Sequence, residues 1–116
     1  MIVDDDLAVL AALRFALEAE GYIVITYHSA ADALEATTFP EKGCFVIDYF
    51  LSDMTGIDLL ARLRSAGNNQ PALIVTPHAG PRILQQAGDI GAPVVEKPFV
   101  GSELSDKIRM LIESSA

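Results

Sequence analysis

Six polar residues stand where this chain could do chemistry: Asp4, Asp5 and Asp6 in a row, then Asp48, Thr76 and Lys97, each closing or directly following a short apolar run. Carboxylates gathered at one place repel one another, which raises the pKa of some of them unless a cation is present. A hard divalent ion with oxygen ligands relieves that repulsion. Mg2+ above all suits a site with a few carboxylates and several waters that a phosphate can replace. Asp48 could then serve as a carboxylate nucleophile toward a phosphoryl group, forming an acyl phosphate. Lys97 would bring positive charge to the phosphoryl oxygens and Thr76 a hydroxyl donor, since phosphoryl transfer rests mainly on positioning and charge neutralisation. Taken singly, each residue has a plainer explanation. Asp6 is well placed to cap a helix, Asp48 to start a turn, Thr76 to be an ordinary strand residue and Lys97 to form a surface ion pair of little value. The chemistry requires that they meet.

What could bring them together is the alternation of elements. Met1–Asp4, Tyr22–Tyr27, Cys44–Asp48, Ala72–Thr76 and Pro93–Glu96 are strand candidates, rich in Val and Ile and mostly apolar throughout, as strands covered on both faces are. Helical spacing lies between them: Leu10, Leu13 and Leu17 after Asp6, Ile57, Leu60 and Leu63 after Gly56, and the stripe Leu104, Ile108, Leu111 and Ile112 near the end. Gly21, Gly67 and Gly91 each stand just past a helical stretch, where a left-handed cap is needed. Gly80–Gly88, bracketed by Pro77, Gly80 and Pro81, is expected to be a short or frayed helix, with Ile83, Leu84 and Ala87 as its core candidates. Five strands and five helices in strict alternation imply crossover connections, a parallel sheet with helices on both sides, and one domain over 1–116. Ligands of open parallel sheets bind beyond the carboxyl ends of the strands. Four of these strands deliver their hydrophilic groups to that edge.

Composition narrows the classes. An apolar fraction of 51% can build a core without disulfides, and the lone Cys44 sits in the run Cys44-Phe45-Val46-Ile47 as a small buried hydrophobe. A single cysteine fits an intracellular, reducing compartment, and a cytoplasmic location is expected. No segment has the ~18 apolar residues of a membrane span, and the amino terminus lacks the pattern of a signal peptide. The net charge of −8 argues against direct nucleic-acid binding, because a phosphate backbone would be repelled.

With those residues in place, the chain resembles the response regulator receiver family, of the chemotaxis-Y type, over essentially its whole length. The resemblance is carried by Ile2-Val3-Asp4-Asp5-Asp6, by Phe45-Val46-Ile47-Asp48 with Leu51 and Gly56 behind it, by Leu73-Ile74-Val75-Thr76, and by Glu96-Lys97-Pro98-Phe99. It implies a flavodoxin-like, doubly wound sheet of strand order 2-1-3-4-5 and a phosphoacceptor role for Asp48. It implies Mg2+ held by Asp4, Asp5, Asp48 and the backbone carbonyl of Phe50, a switch hydroxyl at Thr76, a phosphoryl-contacting Lys97 and a cis Lys97–Pro98 bond. The partners implied are a sensor histidine kinase or phosphotransfer protein and a downstream effector, with a homodimer as a further option. Such a domain is an acceptor rather than an enzyme, promoting at most its own phosphorylation and dephosphorylation.

Departures from the family pattern lie around this centre. Ser52 stands where proline is usual, which predicts a less rigid loop after Asp48. Pro77 follows Thr76 where a small residue is typical, the stretch from Thr76 to Lys97 is about one residue short, and Val94 replaces an aromatic. The first strand is clipped before Asp4. The altered region around Pro77 and Val94 favours, as the rival, a degenerate receiver that binds partners without a phosphorylation cycle, while the complete acidic pocket opposes it. A hydrolase with an aspartyl-phosphate intermediate would need a general acid near Asp48, where Phe50 stands two residues on, and a cap domain. A flavin protein of this fold would need a phosphate loop after the first strand.

Overall fold

The computed structural model describes residues 1–36, 39, 42–99 and 102–114. In chain order the elements are β1 (Ile2–Val3), α1 (Leu7–Ala19), β2 (Thr26–Tyr27), α2 (Ala30–Glu35), β3 (Phe45–Asp48), α3 (Gly56–Ser65), β4 (Ala72–Thr76), α4 (Pro81–Asp89), β5 (Val94–Glu96) and α5 (Glu103–Ser114). The five strands form one sheet of order β2-β1-β3-β4-β5, every pairing parallel. This is the flavodoxin-like order expected.

Strand alternation sorts the core into two layers. Val3, Phe45, Ile47, Ala72 and Ile74 pack with Ala30 and Ala33 of α2, Leu59, Leu60 and Leu63 of α3, and Ala87 of α4. Their neighbours Ile2, Val46, Leu73, Val75 and Val95 pack with Leu10, Leu13 and Leu17 of α1 and Leu104 and Ile108 of α5. Strands β3 and β4 are buried at every residue, which is why they read as unbroken apolar runs. Cys44 is buried beneath the second layer, and burial pushes its thiol up to about 11.

Local chemistry sets the helix ends. Asp6 caps α1, its Oδ1 accepting the N–H groups of Ala8 (2.9 Å) and Val9 (3.3 Å). Ser29 caps α2 and Thr55 caps α3. Gly21, Gly67 and Gly91 take positive φ just beyond α1, α3 and α4, as their spacing predicted.

Three expectations need correction. The second strand is not Tyr22–Tyr27 but Thr26–Tyr27, because β1 offers ladder partners only from Ile2, paired with Thr26, onward. Helix α4 is the short helix expected, continuous over nine residues. Pro81 sits in its first turn, where the missing N–H costs nothing, and Leu84 N–H closes onto the Gly80 carbonyl at 3.1 Å. Its Leu84 faces solvent rather than core. On α3, Leu59 is buried while Ile57 is only half-buried, so the inward stripe is shifted from the expected one.

Candidate functional site

The carboxyl edge of the sheet gathers the acidic residues. Asp4 directly follows β1, Asp48 ends β3, Thr76 ends β4 and Lys97 directly follows β5. Asp48 pairs in register with Val75, and Thr76 with Glu96, so the four strand ends lie side by side. Asp4 and Asp48 are buried whereas Asp5 is exposed. Each of these three offers a carboxylate oxygen within 4.8 Å of the others. Asp6 turns away to its capping role, and its own N–H donates to Asp4 Oδ1 at 3.0 Å, orienting that carboxylate.

Lys97 closes the cluster. Its Nζ donates to Asp4 Oδ2 at 2.7 Å and to Asp48 Oδ2 at 3.3 Å. Burial would lower this ammonium's pKa, but the bond to Asp4 and the charges of Asp48 and Asp4 outweigh it and hold it above its ordinary value. Asp48 is pushed the other way, up to about 6: burial and the charge of Asp4 raise it, against Lys97 and the nearby Phe50 N–H. Asp48 Oδ1 is buried with no hydrogen-bond partner among the described residues. An unsatisfied buried carboxylate oxygen beside two further carboxylates is the donor set a hard divalent cation takes, with exposed Asp5 leaving an open side. The residues present fit Mg2+.

Thr76 ends the strand beside Asp48. Its hydroxyl is buried and engaged with its own loop, donating to the His78 carbonyl at 3.2 Å and accepting the His78 N–H at 3.4 Å. Phe50 lies on the β3–α3 loop in an isolated bridge with Thr55. The Lys97–Pro98 bond is cis.

That loop carries residues the sequence reading passed over. Asp53 accepts the N–H groups of Ala30 (3.2 Å) and Ala31 (2.8 Å), fastening the loop to the first turn of α2. These bonds, that of Ala31 foremost, hold its carboxyl below the ordinary range. The Gly56 N–H donates to the Tyr49 carbonyl at 2.8 Å. With Ser52 in place of a proline, the loop is thus fixed by hydrogen bonds instead of a ring. Thr55, accepting from Asp58 N–H at 3.1 Å, was legible: Thr-x-x-Asp before an apolar run is a capping signature. Asp53 and Tyr49 left no such trace, because their partners are 22 and more residues away.

A doubly wound parallel sheet with acids at the carboxyl ends of β1 and β3 and a lysine after β5 defines a class of α/β protein with its polar groups at that edge. Within that class the match is specific: a family model described as the response regulator receiver domain covers residues 1–109, and the chain belongs to this family. It is similar to the transcriptional regulatory protein FixJ of Azorhizobium caulinodans, 32% identical over 99% of this chain and 55% of that protein. It is likewise similar to the response regulator MprA of Mycobacterium ulcerans, 32% identical over 97% of this chain and 49% of that protein. The chain therefore spans about half the length of these curated relatives. Among solved structures, a CheY-like response regulator receiver domain protein from Methanospirillum hungatei superimposes with a TM-score of 0.87 at 29% identity, covering 97% of this chain and 91% of that one.

Proposed function

We propose that Asp48 accepts a phosphoryl group from a histidine kinase or phosphotransfer protein and that the modified domain changes its binding to a downstream effector. The observation that carries this is the Asp48 carboxylate, buried between Asp4 and Lys97 with one oxygen unsatisfied. With its pKa near 6, Asp48 is mostly ionised at neutral pH and so nucleophilic. Its attack on phosphorus forms an O–P bond, and the N–P bond of the phosphohistidine donor breaks with the electron pair left on the imidazole. Lys97 stays charged and faces the oxygens where negative charge builds. Asp4, Asp5, Asp48 and the Phe50 carbonyl would hold Mg2+, which when bound supplies positive charge to the phosphoryl oxygens. No turnover of an outside substrate is proposed.

Phosphorylation puts three strong acceptor oxygens beside the end of β4. The Thr76 hydroxyl would exchange its bond to the His78 carbonyl for one to a phosphoryl oxygen. A hydrogen bond to a charged group is worth roughly 1.5–3 kcal/mol, whereas complete population reversal needs about 5.5 kcal/mol. Thr76 therefore cannot act alone, and Lys97, the cation and loop repacking share the change. The rival reading, a receiver that binds partners without phosphorylation, draws on Thr76 being already satisfied by His78. Incubation with a small acyl phosphate separates the two. Mg2+-dependent labelling that disappears in Asp48→Asn is expected, and a chain that stays unlabelled at saturating donor and Mg2+ would leave only the rival.

A further inference from the structure

We infer that Tyr49 ties the Asp48 site to α4 and carries the state of the site to that helix. The inference rests on the phosphoacceptor reading and names the route by which it is relayed. Tyr49 follows Asp48 directly, and its main chain is held on both sides: its N–H donates to the Val75 carbonyl at 2.8 Å and its carbonyl accepts the Gly56 N–H at 2.8 Å. The ring is buried in the layer that contains Ile47, Ile74 and Ala87, and meets Phe50 edge-on with centroids 4.8 Å apart. From there Tyr49 Oη reaches across to α4 and donates to Gln86 Oε1 at 2.8 Å.

Helix α4 is otherwise lightly held. Ala87 is its one buried residue, and Gly80 gives its first turn no side-chain cap. The side chain of Val94, on the neighbouring β5, has no polar atom to offer. Among the described residues, two polar ties join the site to α4 and the loop leading into it: Thr76 to His78 at the head of that loop, and Tyr49 to Gln86 on the helix. The first is the tie for which phosphoryl oxygens compete. The second tolerates little translation, because an O–H···O bond is confined to about 2.5–3.0 Å. Once the loop is released, α4 either keeps the bond to Tyr49 in its resting place or loses it outright. Tyr49 is a positioning residue in this scheme, converting a local change at Asp48 into two positions of α4.

Tyr49→Phe removes only the hydroxyl. Its test pairs labelling of Asp48 by acetyl phosphate with amide exchange across Pro81–Asp89, measured with Mg2+ alone and with Mg2+ plus beryllofluoride as the phosphoryl mimic. In the wild type, beryllofluoride is expected to speed exchange in α4. In Tyr49→Phe, labelling should proceed at the wild-type rate, while α4 exchanges roughly two- to tenfold faster from the start, the range for one lost hydrogen bond, and no longer responds to beryllofluoride. Gln86→Leu should reproduce this, with α3 and α5 unchanged in both variants. An α4 response in Tyr49→Phe equal to that of the wild type overturns the inference, as does faster exchange spread evenly over all helices. Failure of the wild type itself to label brings down the phosphoacceptor reading instead, and the relay with it.

Discussion

Asp48 is held in a native environment that favours its protonated form. Burial and the charge of Asp4 raise its pKa to about 6 against an ordinary value of 3.8. The native state therefore binds this proton more tightly than the unfolded chain does. Its contribution is fully present below about pH 4, is lost as pH rises from there to about 6, and stays lost above. Two pKa units correspond to up to about 3 kcal/mol. Asp48→Asn should accordingly be more stable than the wild type at pH 7 in the presence of a chelator, and the difference should shrink toward pH 4. Urea unfolding at both pH values measures it, and equal midpoints at pH 7 would show that the buried charge is not a burden. The residues in this cluster were legible because each stands at a strand end, where the topology leaves one destination. What stayed hidden is the state of each side chain: that Asp5 alone is open to solvent, and that Thr76 is spent on His78, both follow from packing between elements rather than from spacing along the chain.

At the scale of elements, the close approach of α3 to β3 positions Asp48. A Cβ at residue 56 would run into the Asp48 carbonyl and lie 2.9 Å from Ile47 Cγ2, so only glycine lets the helix begin this near the acceptor. Gly56→Ala must push the Asp48 backbone or the start of α3 aside. Overpacking of this kind costs about 1–3 kcal/mol, and because the displaced atoms belong to Asp48, Mg2+ affinity should fall along with stability. Gly88→Ala is the matched control: nothing lies within 4 Å of the added methyl, and alanine in a helix interior is favoured by roughly 0.5–1 kcal/mol. Calorimetry of both variants, with Mg2+ titrations, checks the pair; a Gly56→Ala domain as stable as Gly88→Ala would rule the close contact out. The elements themselves were readable to differing depth. Strong apolar periodicity fixed α1 and α5, while β2 was overextended because Tyr22–Ile25 is as apolar as a strand but lies before the register pairs with β1, which begin at Thr26. Proline and glycine around α4 suggested a short or frayed helix, and a short one forms because Pro81 falls where a helix accepts it.

Across the whole molecule, the sheet couples a small polar edge to a core that fills both its faces. The parallel architecture could be read from strands apolar at every position, and the placement of the acids followed from it. The order 2-1-3-4-5 could not be read from periodicity, since pairing order leaves no mark on any single strand; the family resemblance supplied it. One consequence concerns global stability. A cation that binds only where Asp4, Asp5 and Asp48 meet does not bind the unfolded chain, in which Asp48 lies 43 or more residues from the other two. Binding then stabilises every element at once, by about 2.7 kcal/mol at a hundredfold excess over Kd. For a domain of this size the melting temperature should rise on the order of 10 °C. The rise should be seen equally in helix content and in the environment of the buried Tyr49, because the layers unfold together. Na+ at matched ionic strength separates site binding from screening of the −8 charge. Asp48→Asn, which removes one of the three carboxylates, should melt with little dependence on Mg2+. A melting temperature that Na+ raises as much as Mg2+ does, or that rises as far in the Asn variant, would mean that the acids hold no specific ion.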